Sequence, residues 1–291
     1  MATASSCIMA HVRAASRGTG ISHQNCHPFK AGRLLFCHNG RLWQFSKMKR
    51  QFMGFVSDNA FKAIHGTTDS EVIFAMVLTF LEKDGKGSPF EQTEPFGAIR
   101  LVRALKKTLK QIETIMEDCG IMDGYSTFNF SLVDGETIVA TRFCDKEGIA
   151  PPSLYFAYGE ADEIYKELVD QDNASPMTAP QKFAKVSSSL SNASLDDSEK
   201  KTGDDASSTA SSELMEEKVD IETTEIKTGT VLVDVNPVNA SCIISSNPLT
   251  TKLHTWNKMP RNSIMWCTRG NHPELRLLTK KRNRSYALIA M

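Results

Sequence analysis

The chain has 291 residues, 41% of them hydrophobic, which is enough for a sizeable core in one large domain or two small ones. Lysine plus arginine and aspartate plus glutamate each number 34, so no net field selects nucleic acid or an anionic membrane surface. Seven scattered cysteines without a CxxC pair suit reduced thiols in a cytoplasmic protein better than a disulfide framework, and the longest apolar run, Val72–Leu81, is too short to cross a bilayer.

The stretch Cys7–Ala15 is a compact apolar run that breaks at Ser16-Arg17-Gly18-Thr19-Gly20; it is expected to form a buried strand whose end carries Arg13. Met1–His27 lacks acids, as a transit peptide would, but the apolar run inside it favours folded structure. Arg33–Cys37 predicts a short buried strand that stops at His38-Asn39-Gly40, where glycine allows a positive φ. Asn-Gly there is a hairpin turn in its commonest use. At a strand end it can also aim a side-chain and a backbone donor at one point, as an oxyanion hole requires. Leu42, Phe45, Met48 and Phe52 then recur at helical spacing, with Lys47, Lys49 and Arg50 on the outer face.

Thr68 and Glu71 have capping-box spacing, which makes Thr68 the N-cap and Asp69 the first residue of a helix running to about Lys83-Asp84-Gly85. A third helix is predicted over Pro95–Asp118, closed by Gly120 in a left-handed cap. The period then changes to two: Thr127–Leu132 and Ile138–Phe143 flank Asp134-Gly135 as a hairpin, and Ser153–Tyr158 is a further strand. Asp170 to about Lys227 is rich in Ser, Thr, Asp and Glu and cannot bury enough apolar surface to order itself. Strands are expected again at Val231–Val235, Ser241–Ser246 and Asn262–Cys267. Helices first and antiparallel strands after them predict an α+β fold with helices packed on sheets.

Arg13 could grip a carboxylate bidentately, although arginine is usually a surface cation. Asp69 could pair with an ammonium, or merely satisfy the helix dipole. Together they are spaced to hold both ends of an α-amino acid. Cys26 and Cys37 read as packing thiols. His11, His23, His27, His38 and His65 lack ligand spacing, so no metal is expected, and no phosphate loop or dinucleotide fingerprint is present.

The motifs AHVRAAS, NCHPF, GRLLFCHNG and GTTDSE, in this order, resemble the class II glutamine amidotransferases, a family of N-terminal-nucleophile hydrolases, and within it the stand-alone branch that serves fungal alternative glutathione degradation. The similarity continues through FSLVDGETIVATRF, SLYFAYG and MPRNSIMW. It implies a four-layer αββα sandwich of two antiparallel sheets between helices. It implies that Arg13 holds the α-carboxylate of a γ-glutamyl group, that Asp69 holds its α-ammonium, and that Asn39 with the Gly40 N–H forms the oxyanion hole. No cofactor is implied; a metallopeptidase-like partner subunit is.

The family's nucleophile is an N-terminal cysteine activated by its own α-amino group. Here Ala2 follows Met1, and Cys7 is the nearest thiol, a weak candidate lying in the segment that carries Arg13. The chain is therefore expected to be an amidotransferase domain without its first strands. Residues 1–169 and 228–278 would form that domain, 170–227 an acidic insertion and 279–291 a tail. The expected activity is hydrolysis of γ-glutamyl amides, of glutathione or glutamine; the alternative is an inactive form that binds γ-glutamyl groups or a partner.

Overall fold

The computed structural model describes residues 6–13, 22–160, 164, 221–225, 236, 238–250 and 255–280, all within one compact unit comprising 1–164 and 219–291. In chain order these residues form β1 (Phe29–Ala31), β2 (Leu34–Arg41), α1 (Phe45–Phe55), α2 (Asp58–Lys62), α3 (Asp69–Glu82), α4 (Ala98–Asp118), β3 (Thr127–Val133), β4 (Thr137–Cys144), β5 (Tyr155–Glu160), β6 (Ile221–Glu225), β7 (Ala240–Ser245), β8 (Asn257–Lys258), β9 (Ser263–Thr268) and β10 (Glu274–Lys280). A seven-stranded sheet has the order β1-β2-β3-β4-β9-β10-β6, and a three-stranded sheet the order β7-β5-β8. Every pairing is antiparallel. This is the expected α+β organisation.

Alternation along the strands divides the large sheet into two faces. Leu34, Phe36, Phe128, Phe130, Leu132, Val139, Ile264 and Trp266 meet the helices in the main core. Ala140 and Met265 point the other way and pack on Leu154, Phe156 and Met259 of the small sheet's side. Helices, large sheet and small sheet are thus three successive layers. On the outer face of the small sheet, Ala157 packs with Ile164 and Trp256. Among the described residues no helix is long and apolar enough to cross a membrane.

α3 is buried on all sides, from Ser70 through Thr79 and at Leu81, because it lies between the sheet and the other helices. α4 has the single apolar stripe the sequence predicts, with Leu101, Val102, Leu105, Leu109, Ile112 and Met116 buried. It ends at Gly120, whose φ is 67°. Met48 and Phe52 of α1 are fully buried while Lys47 and Arg50 face out.

Thr68 caps α3 as expected, its hydroxyl accepting from Glu71 N at 3.2 Å. The reciprocal half of the box is missing. Glu71 instead accepts from His65 N (2.8 Å) and Gly66 N (2.7 Å), two donors of the loop that folds back over the helix start. Thr68→Ala is expected to cost about 1 kcal/mol. It should read as a lower urea midpoint at unchanged slope.

Three expectations are corrected. Residues 6–13 form no strand: Ile8 is 72% and Val12 99% exposed, because an apolar run becomes a strand only where another strand's backbone pairs with it. β2 does not stop at His38 but continues to Arg41, opposite Thr127 of β3. Ile221–Glu225, placed by composition in the acidic insertion, is an edge strand paired with β10. Val231–Val235, the rest of the insertion and the tail beyond Lys280 lie outside the described residues.

Candidate functional site

Asn39 and Gly40 lie in the last turn-free part of β2, opposite Asn129 and Phe128. The Thr141 hydroxyl donates to Phe128 O (2.8 Å) and accepts from Phe130 N (3.1 Å), so these two residues turn their backbone groups toward β4. Their β2 partners, Gly40 and His38, therefore turn theirs away from β3. On that side β1 has already ended, since its pairing reaches only to Phe36. The Gly40 N–H is thus directed off the ladder at an exposed position.

Glycine is required here by space, not by φ. A Cβ would collide with the Thr127 carbonyl oxygen and lie 2.6 Å from His38 Nε2. The expected positive φ is absent, because the strand continues through the residue.

The Asn39 side chain points to the space between the sheets, where its Nδ2 donates to Ser246 Oγ at 3.4 Å. Ser153 ties the same corner together, donating to Ser246 O at 2.8 Å. Opposite Asn39, the buried Asn129 donates to Pro152 O at 3.0 Å. Arg142 spreads its guanidinium over three carbonyls, those of Pro152 (2.9 Å), Met259 (3.1 Å) and Pro151 (3.0 Å). These bonds hold the segment leading into β5 against the large sheet beside Asn39.

Asp69 is half-buried at the first position of α3. Its Oδ2 accepts from Leu42 N at 2.8 Å, which ties the helix start to the residue just beyond β2. Its Oδ1 accepts from Ser70 N at 2.8 Å. A carboxylate has about four lone-pair sites, so capacity for an ammonium donor remains.

Behind the site His38 is fully enclosed. Its Nε2 lies 2.9 Å from Thr127 O, an acceptor only, so Nε2 carries the proton and Nδ1 accepts from the Ser70 hydroxyl at 3.0 Å. Burial keeps this imidazole neutral by lowering its proton affinity, against the opposing pull of Asp69.

The half-buried Arg13 is within electrostatic reach of His11 and His27, whose ring centroids lie 4.4 Å apart with the rings tilted by 43°. Burial first, and then the neighbouring His11, His38 and Arg13, bring His27 down to about 3. All three imidazoles are neutral at pH 7, which leaves Arg13 as the cation of that group. Asn39, Gly40 and Asp69 lie together at the Arg41 end of β2, and Arg13 acts on the histidine pair His11 and His27.

Cys7 is not among them. Ser6 donates to Gly135 O at 3.2 Å, and burial together with Asp134 pushes the Cys7 thiol up. That places Cys7 by the β3–β4 turn, at the Leu34 end of β2. Five residues of strand, about 17 Å, separate that end from Asn39. Cys37 shares the Asn39 face, but burial raises its thiol to about 12. Cys26 is exposed beside the short 3-10 turn His23–Asn25. Among the described residues no cluster of three or more His, Cys, Asp or Glu is placed to hold a metal ion.

Sequence reasoning missed His38, Ser70 and Asn129 as supports of this site. The signal was present for His38: it shares the period-two face of Leu34 and Phe36, so a histidine there is a buried polar group that must find partners.

The family model of the class-II glutamine amidotransferases matches residues 2–200. A probable glutamine amidotransferase of Saccharomyces cerevisiae, DUG3, is 34% identical over 162 residues, which is 55% of this chain and 45% of that protein. The chain therefore spans under half the length of this curated relative. Among solved structures, a glutamine aminotransferase class-II domain protein from Silicibacter pomeroyi is similar over 90% of this chain and 74% of that one, at 18% identity and a TM-score of 0.49. A predicted glutamine amidotransferase from Pseudomonas aeruginosa covers 86% of this chain and 64% of its own, at 15% identity and a TM-score of 0.39.

Proposed function

The chain belongs to the class-II glutamine amidotransferases, and from that premise we propose that it binds the γ-glutamyl head of glutathione or glutamine at the Asn39 end of β2 and serves hydrolysis of the γ-amide bond. The observation that carries this reading is the pairing of an off-ladder Gly40 N–H with an Asp69 carboxylate tied to Leu42 N, two residues further along the chain. The N–H and the Asn39 amide would receive the oxyanion that forms when the γ-carbonyl is attacked. Asp69 would hold the α-ammonium and Arg13 the α-carboxylate. A metallopeptidase-like subunit, implied by the family resemblance, belongs to the same proposal.

A second reading has its own support. Cys7 stands at the far end of β2 with its thiol held protonated, and Cys37 is held protonated by burial. On this reading the site grips γ-glutamyl groups without turnover by any thiol described here.

Calorimetric titration with L-glutamine and with glutathione tests the shared part. Both are expected to bind one to one. Asp69→Asn should weaken each about tenfold, or about 1.4 kcal/mol, through loss of a charge-assisted contact. Absence of binding by the folded chain, or an unaffected variant, would remove the proposal. Intact mass after incubation with 6-diazo-5-oxo-norleucine separates the two readings: a covalent adduct marks the hydrolase, and binding without an adduct marks the non-catalytic form.

A further inference from the structure

Two cysteines on the inner faces of the two sheets have no part in the site just described. Cys242 lies on β7 and Cys267 on β9. Alternation sets their direction: Ile244, two residues from Cys242, and Met265, two residues from Cys267, both belong to the cluster around Phe156 between the sheets. The two thiols approach one another there closely enough for each to shift the other's titration. Cys267 in turn donates to Asn271 O at 3.5 Å, and the Tyr158 hydroxyl donates to the same carbonyl at 3.4 Å. Tyr158 is directly opposite Cys242 in the small sheet.

The group sits away from Asn39. Cys267 is paired with Ile138, and Ile138 with Val133, whereas Asn39 is opposite Asn129. Both cysteines are free.

We propose that Cys242 and Cys267 form a dithiol that small disulfides oxidise to a cross-sheet disulfide. Cys267 is the attacking sulfur. The neighbouring Cys242 thiol lowers its proton affinity, while Cys242, beside Cys267 and by burial, is raised well above the ordinary thiol range. In the first step the Cys267 thiolate attacks one sulfur of the oxidant; the oxidant's S–S bond breaks and one thiolate leaves with the electron pair. In the second, Cys242 gives up its proton and attacks the Cys267 sulfur, expelling the other thiolate. The two protein thiols are oxidised by two electrons, and one small disulfide is reduced to two thiols.

The bridge requires the sulfurs to close to about 2.05 Å. Facing strands of two packed sheets carry such a bridge in immunoglobulin-type sandwiches.

The test uses the full chain, reduced and then freed of reductant, and bis(2-hydroxyethyl) disulfide, which carries no γ-glutamyl group. Remaining thiols are alkylated, and the products are read by intact mass and by a non-reducing peptide map. The expected product has lost two hydrogens, retains five alkylatable cysteines of its seven, and joins the peptides of Cys242 and Cys267. Cys242→Ser should stop at the first step, with a stable mixed disulfide on Cys267. Seven alkylatable thiols, a bridge between other cysteines, or a mixed disulfide persisting on wild-type Cys267 would each overturn the proposal. The wild-type map decides by itself if the variant does not fold.

Discussion

Asp134→Ala is expected to remove about 4 kcal/mol of folding stability, a large part of the 5–15 kcal/mol that a domain typically holds. Asp134 is 1% exposed and sits at the β3–β4 turn. Its Oδ1 accepts from Glu136 N (3.0 Å) and Thr137 N (2.7 Å), closing the hairpin. Its Oδ2 accepts from Phe96 N (2.8 Å) and Gly97 N (3.4 Å), at the start of α4. One carboxylate thus satisfies the turn and the N-terminus of a 21-residue helix, where negative charge is also favoured by the helix dipole. Alanine would orphan all four donors, of which Phe96 N and Thr137 N are buried, at roughly 1–3 kcal/mol for each one left fully unpaired. Urea unfolding followed by tryptophan fluorescence measures the loss. A change below about 1 kcal/mol would show that these donors find other partners.

Gly40→Ala should be nearly as costly, about 3–5 kcal/mol, and should abolish γ-glutamyl binding. The added Cβ would overlap the Thr127 carbonyl, lying 2.8 Å from its carbon, and that atom is backbone of the neighbouring strand. β3 would have to move away, which breaks the His38 Nε2–Thr127 O bond and the Arg41–Thr127 pairing. Overpacking of this kind costs about 1–3 kcal/mol, and the orphaned His38 adds a similar amount. Urea unfolding and calorimetry with L-glutamine together check it. A variant as stable as wild type that binds glutamine normally would contradict the geometry of β2.

What was legible in the sequence was local. Thr68 and Asp69 announce a helix start within four residues, and Asp134-Gly135 announces a turn, because the groups that satisfy each other are neighbours in the chain. The Asn39-Gly40 pair was recognised as a candidate oxyanion hole for an incorrect backbone reason. Its glycine serves close approach to Thr127, a residue 87 positions later, which no window around Gly40 contains. The supports of the site have the same character: His38 with Ser70 and Thr127, Asn39 with Ser246, and Arg142 with Met259. Residues 8–13 failed in the opposite sense. Their apolar character was visible, but whether a strand lay beside them was not.

The order of the large sheet bears on how the chain is made. β4 pairs with β3 on one side and with β9 on the other, and 118 residues lie between Cys144 and Ser263. At a synthesis rate of about 5–20 residues per second, the ribosome takes about 6–24 s to deliver β9 after β4 has emerged. During that interval β2, β3, β4 and the helices can assemble from local contacts, while the free edge of β4 and the Ala140 face stand open to other nascent chains. A sheet left open at β4 until β9 is made follows from this topology, independently of any chemistry at Asn39.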